Sequence, residues 1–322
     1  MCDGQAVEEA RERTLVLEHP VDLRRTLGPL QRGRFDLTFR FDGDRAWRAT
    51  RTPEGAVTAR IHLDAPARSV HATAWGPGSS WFLETLPAQV GAEDDHTPLT
   101  AMLERVPRHP GDELLRTLRR RLPGMRLART GVVAEHLVPT VVEQRVTSRE
   151  ARRSYGALVR RFGEPAPGPG ARSLGLRLAP TPATLAALPY WAFHRYGIER
   201  NRAETIRRVA ADADRLDAAA HAGPEQARTA MRRLRGVGIW SAAEVGLAAL
   251  GDADAVSVGD FHLKNHVSWV LAGEARGDDD RMLELLEPYA GQRGRVTRLI
   301  MASGQTPPKY GPRQRIHDFR AS

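Results

Sequence analysis

Two glycines one residue apart, a tryptophan two positions on and an aspartate further downstream are the residues best suited to do chemistry in this 322-residue chain. The stretch Leu234-Arg235-Gly236-Val237-Gly238-Ile239-Trp240-Ser241 reads as the end of one helix, a tight turn and the start of another. Glycines at 236 and 238 allow positive φ and close approach to a second surface. The first turn of the following helix presents unpaired N–H groups, an anion site that suits a backbone phosphate. Such contact carries no sequence information. An ordinary turn between packed helices has the same sequence. Residues 251–264, GDADAVSVGDFHLK, read as a loop and a short apolar extended piece that delivers Asp260 to the head of an apolar helix (Phe261, Leu263, Val267, Val270). An aspartate there is explained as an N-cap, which also fixes the carboxylate in one place.

The elements that must position these groups divide the chain in two. Residues 1–95 are β-rich: Arg13–Glu18, Phe35–Phe41, Arg45–Arg51, Ala56–Leu63 and Ser69–Thr73 carry β-formers in partial alternation. Thr52–Gly55 (TPEG) has hairpin chemistry, Asp22–Leu30 is a short helix, and Trp81–Glu84 starts another. The expectation is an α+β domain with an antiparallel sheet. Gly91–Pro98 (GAEDDHTP) reads as a polar linker, and residues 96–322 are mostly helical. Helices are expected over Leu99–Val106, Pro110–Leu122, Val132–Val146, Ser148–Phe162 with Ser148 as N-cap, Thr181–Ala187, Glu199–Asp214, Pro224–Leu234, Ser241–Ala249, Phe261–Leu271, Asp278–Leu286 and Gln292–Ala302. Pro165–Gly170 (PAPGPG) is expected to be irregular.

Composition is that of an ordinary globular protein, 41% hydrophobic and 27% charged. No apolar run is long enough for a transmembrane helix, and the first residues have no signal-peptide core, so a cytoplasmic protein is expected. One cysteine, Cys2, excludes a disulfide framework, a cysteine zinc site and a four-cysteine iron–sulfur cluster. A net charge of +9 points to a polyanion partner, although Lys264 and Lys309 are the only lysines and the Arg, Ala, Gly and Pro skew also fits a GC-rich genome.

The glycine hairpin, Trp240 and Asp260 in that register resemble the helix-hairpin-helix DNA glycosylases. The stretch GVGIWSA is similar to the hairpin of bacterial inducible 3-methyladenine DNA glycosylases, the AlkA-type or glycosylase II family. Val141–Ser148 (VVEQRVTS) and Leu286–Ile300 (LEPYAGQRGRVTRLI) resemble that family's first core helix and closing segment. The resemblance implies a small N-terminal antiparallel-sheet domain followed by a helical core of two subdomains, with the hairpin at 231–250 and the catalytic loop at 251–264. It implies base excision repair by a monomer on double-stranded DNA, in which a damaged base, most simply an alkylated one, is flipped out and hydrolysed off to leave an abasic site. Asp260 would be the catalytic carboxylate, with Trp240, Tyr190 and Trp191 as base-pocket aromatics. Gly236, Val237, Gly238, Ser241, His262 and Lys264 would contact DNA, with Leu127 as the wedge. No cofactor is required, and a monovalent cation would sit on the carbonyls of Arg232, Leu234 and Val237. Relatives that also cut the strand carry a lysine where Trp240 stands, so no lyase activity is expected. Gly259, where the family often has a second acid, and Glu143-Gln144, where Gly-Gln is commoner, depart from its pattern. Glycosylases for deaminated or oxidised bases, and a non-catalytic lesion-binding module, are the alternatives.

Overall fold

A computed structural model describes residues 9–105 and 109–308. Cys2, Val106 and the tail from Lys309 lie outside the described residues. Five strands, β1 (Arg11–Val16), β2 (Phe39–Asp42), β3 (Arg45–Thr52), β4 (Gly55–Asp64) and β5 (Ser69–Trp75), form one antiparallel sheet in the order β1-β5-β4-β3-β2. The expected hairpin is present: Thr52 faces Gly55 and the loop is Pro53-Glu54. Residues 35–38, expected in β2, are not strand, because the Asp36 carboxylate accepts the N–H groups of Arg32 and Thr38 and so bends the chain. The Asp22–Leu30 segment forms a helix over Leu23–Leu27 and a 3₁₀ turn over Gly28–Leu30.

The helices that matter below are α1 (Asp112–Arg121), α2 (Val133–Glu143), α3 (Ser148–Phe162), α4 (Arg200–Ala211), α5 (Pro224–Arg232), α6 (Ile239–Ala249), α7 (Leu263–Ala272), α8 (Asp279–Leu286) and α9 (Arg293–Ala302). Two corrections to the expected elements have clear causes. The N-cap of α3 is Thr147, not Ser148: Thr147 and Glu150 form a reciprocal capping box. The PAPGPG loop ends in a short helix, Pro169–Leu174, since proline is tolerated in a first helical turn. Gly168 and Gly170 let it lie on the Trp75 and Trp47 rings, which stack 5.8 Å apart.

Separate hydrophobic cores hold the pieces. One lies between the sheet and residues 17–30 and 82–90. A second is built from α2 to α6, with Phe193, Ile198 and Ile206 fully buried in it. The third packs Leu99, Leu115 and Leu118 against α7, α8 and α9, so the segment after the sheet folds with the C-terminal helices rather than with its sequence neighbours. Helical packing therefore forms two units, and the segment from α6 to α7 that carries Asp260 passes from one to the other.

Buried charge joins these units. Glu135, in the first turn of α2, accepts from Thr50 Oγ1 at 2.6 Å and the Arg51 amide at 3.1 Å on β3, and pairs with Arg48. The expected linker at 91–98 is instead a clamp. Asp94 takes both Arg295 guanidinium nitrogens of α9 at 2.6 Å, and also the Leu127 amide at 2.9 Å. Burial alone would push its carboxyl up, but Arg295 and His96 hold it well below the usual range.

Candidate active site

The hairpin is α5, the turn 233–238 and α6. The Leu234 amide donates to Met231 O and the Val237 amide to Leu234 O, which tightens the turn. Its two glycines do different work. Gly236 has φ +98°, and a Cβ there would collide with Thr205 of α4. Gly238 has extended backbone and open space where a Cβ would be, so the fold itself does not require glycine there. No side chain caps α6 at Gly238, which leaves the first-turn N–H groups facing outward beside a bare backbone. An arriving phosphate fits that gap.

Val237 and Ser241 were expected among the DNA contacts through the hairpin backbone, and their side chains are buried. Val237 is buried in the helical core, and Ser241, 1% exposed, accepts the Gln144 amide at 2.8 Å. Gln144 also donates to Gly236 O at 3.0 Å, which ties the hairpin to the α2–α3 loop. The Leu234 carbonyl already accepts the Val237 amide, and the Arg208 guanidinium donates to the neighbouring Arg235 carbonyl at 3.3 Å. No step is assigned to a cation on the Arg232, Leu234 and Val237 carbonyls.

Asp260 is held by both of its oxygens. Oδ1 accepts the amides of His262 and Leu263, each at 2.8 Å, and so closes the turn that leads into α7, whose N-cap is His262 rather than the expected Asp260. Oδ2 accepts the Trp240 indole N–H at 3.3 Å. Trp240 is thus both a half-buried ring and a positioning donor for the carboxylate. Gly259 has φ +90°, a conformation that an acidic side chain would strain, and its amide donates to Asp279 Oδ1. Both residues face a groove of about 1990 Å³, larger than an ordinary small-molecule pocket of roughly 300–1,000 Å³. That size suits a strand with one nucleotide turned inward.

The other expected residues divide. Gly236, Val237, Gly238, Ser241 and His262 line the groove. Lys264 does not, and its ammonium pairs with Asp279 at 3.5 Å. Tyr190 packs against the helical core under the Arg200 guanidinium, and Trp191 is 64% exposed outside the groove. Leu127 is 5% exposed in the junction that Asp94 organises, so it is not available to enter DNA.

Three groove residues were not singled out from the sequence. Arg145, exposed in the α2–α3 loop, has φ +56°, an uncommon conformation for a residue with a Cβ. Phe261 is 77% exposed beside Asp260. Glu244, one turn along α6 from Trp240, is the one acid of that apolar helix. A lone acid inside an apolar helix, four residues from a singled-out tryptophan, was the readable signal for it.

The fold defined by these elements is the helix-hairpin-helix DNA glycosylase fold. It superposes with TM-score 0.74 on a 3-methyladenine DNA glycosylase from Archaeoglobus fulgidus, at 19% identity over 90% of this chain and 98% of that one. An 8-oxoguanine glycosylase/lyase from Clostridium acetobutylicum, solved with double-stranded DNA, matches with TM-score 0.66 at 11% identity over 92% and 97%. No protein-family model matches the sequence, and no curated protein matches it. Among the described residues no helix is long and apolar enough to cross a membrane, and no group of His, Cys, Asp or Glu side chains is placed to hold a metal.

Proposed function

We propose that this protein is a monofunctional DNA glycosylase of base excision repair, which extrudes a damaged base from duplex DNA and hydrolyses its N-glycosidic bond to leave an abasic site. The observation that carries the reading is the Asp260 carboxylate, fixed by Trp240 and two backbone amides on the groove wall next to the uncapped hairpin helix. The hairpin N–H groups and the exposed arginines 232, 233 and 235 hold the phosphates. Arg145, exposed on the groove wall, would fill the gap left in the stack in place of the buried Leu127.

As the bond to the base breaks, positive charge develops at C1′ of the sugar, and Asp260 stabilises it across a short distance. Water then adds at C1′ and loses its proton, so the products are the free base and an abasic sugar. Asp260, which faces the same carbon, is placed to take that proton. Strand cleavage through a Schiff base needs an amine, and Trp240 has none. Lys264, the lysine among the described residues, is paired with Asp279 and does not line the groove.

The test uses duplexes that each bear one alkylated, deaminated or oxidised base. Release of the alkylated base with strand breaks only after alkali is expected. Breaks without alkali would contradict the monofunctional assignment, release of a different lesion class would change the substrate, and no release from any duplex would leave a binding module.

A further inference from the structure

We infer that Glu244 reads the extruded base, its carboxylate selecting a base that carries positive charge, as a ring-alkylated purine does. The inference rests on the glycosylase reading above and names the substrate class of that site.

Glu244 stands one turn after Trp240, so both project from the same side of α6 into the groove that Asp260 faces. Its Oε1 accepts the Ser257 hydroxyl, from the loop that delivers Asp260. That is the one hydrogen bond to its carboxylate among the described residues, which leaves the other oxygen for a ligand.

The charges around it are unbalanced. Asp260 faces it from the loop before α7 and Glu143 from the end of α2. Arg32 opposes these two, but it is already paired with Glu143 at 3.2 Å. Arg298 of α9 acts on Glu244 from outside the groove lining, with its guanidinium on the Arg25 carbonyl at 3.4 Å. Burial pushes the Glu244 carboxyl above the usual range, and Asp260 and Glu143 add to that, so a positive charge arriving in the groove is favoured beside it.

A positively charged base between Asp260 and Glu244 supplies that charge, and the attraction strengthens as the bound base displaces water from between them. A neutral base of the same shape brings no compensating charge and leaves a desolvated acid behind. Trp240 adds a π-face to the same cation.

The test compares Glu244→Gln, which keeps shape and hydrogen-bonding capacity, with wild type in single-turnover excision. The duplexes are identical except for one 7-methylguanine, which is cationic, or one hypoxanthine or 8-oxoguanine, which are neutral. Glu244→Gln is expected to slow 7-methylguanine release by about tenfold or more, the scale of one lost specific contact. Release of any neutral lesion that wild type excises should stay within about threefold, and affinity for an abasic-analogue duplex and the melting temperature should not change. Equal loss on both kinds of lesion, no loss on either, or a wild-type preference for the neutral bases would overturn the assignment to Glu244 while leaving the glycosylase reading intact. Absence of excision by wild type would overturn both.

Discussion

One hydrogen bond, from the Trp240 indole to Asp260 Oδ2 at 3.3 Å, separates the roles that this tryptophan could have. An aromatic wall needs only the ring, whereas a positioning donor needs the N–H. Trp240→Phe keeps most of the ring and removes the donor. A hydrogen bond to a charged group is worth about 1.5–3 kcal/mol, which corresponds to roughly ten- to a hundred-fold in rate. The expected outcome is a fall of that size in the single-turnover excision rate with little change in duplex affinity; an unchanged rate would make the ring, not the N–H, the functional part. Asp260 was legible in the sequence because its register to Gly236, Gly238 and Trp240 is local to one hairpin and one loop. Leu127 was misplaced because its burial is decided by Asp94 and α9, far away in the chain. Arg145 could not be singled out because its φ of +56° is a property of the folded loop, with no glycine to announce it.

Among the elements, α2 carries a dependence on pH through a residue outside it. No side chain of its own first turn caps it; the carboxylate of Asp217, from the segment that follows α4, accepts the Ala134 amide at 2.9 Å. Burial outweighs those amides and pushes the Asp217 carboxyl up to about 6. An unfolded aspartate titrates near 3.9, so between about pH 4 and 6 the folded chain binds more protons than the unfolded one. The contribution of Asp217 to stability therefore falls as pH rises through that window. Asp217→Asn, which keeps an acceptor for Ala134, should gain in melting temperature relative to wild type from pH 4 to pH 6.5; parallel curves would contradict the burial argument. Element boundaries in the helical region were readable where caps and glycines mark them, as at Asp278 and Gly163. They failed where a side chain from elsewhere decides, as Asp36 does at the start of β2, or where glycines pack on tryptophans, as in the Pro169–Leu174 helix.

Over the whole molecule, the arrangement that sequence reading could not supply is the return of residues 96–125 to the C-terminal helices. The acidic stretch before it looks like a linker because its charges are visible and their partner, Arg295, lies 201 positions away. Removing one partner from a buried pair costs about 3–5 kcal/mol, since the other charge is left desolvated. Arg295→Leu should lower the unfolding free energy by that amount in denaturant titration, and a change below about 1 kcal/mol would mean that Asp94 and Arg295 do not clamp the sheet to α9. The same packing passes the chain from one helical unit to the other at residues 251–262, which is why Asp260 faces a groove rather than a core. The most direct measurement of what that placement is for is single-turnover excision by Asp260→Asn on an alkylated duplex, read beside its affinity for the same duplex. Asparagine keeps an acceptor for the His262 and Leu263 amides but loses the charge, so a rate at least about thirtyfold lower, some 2 kcal/mol, with affinity retained is the predicted result. Excision at the wild-type rate would contradict Asp260 as the catalytic carboxylate.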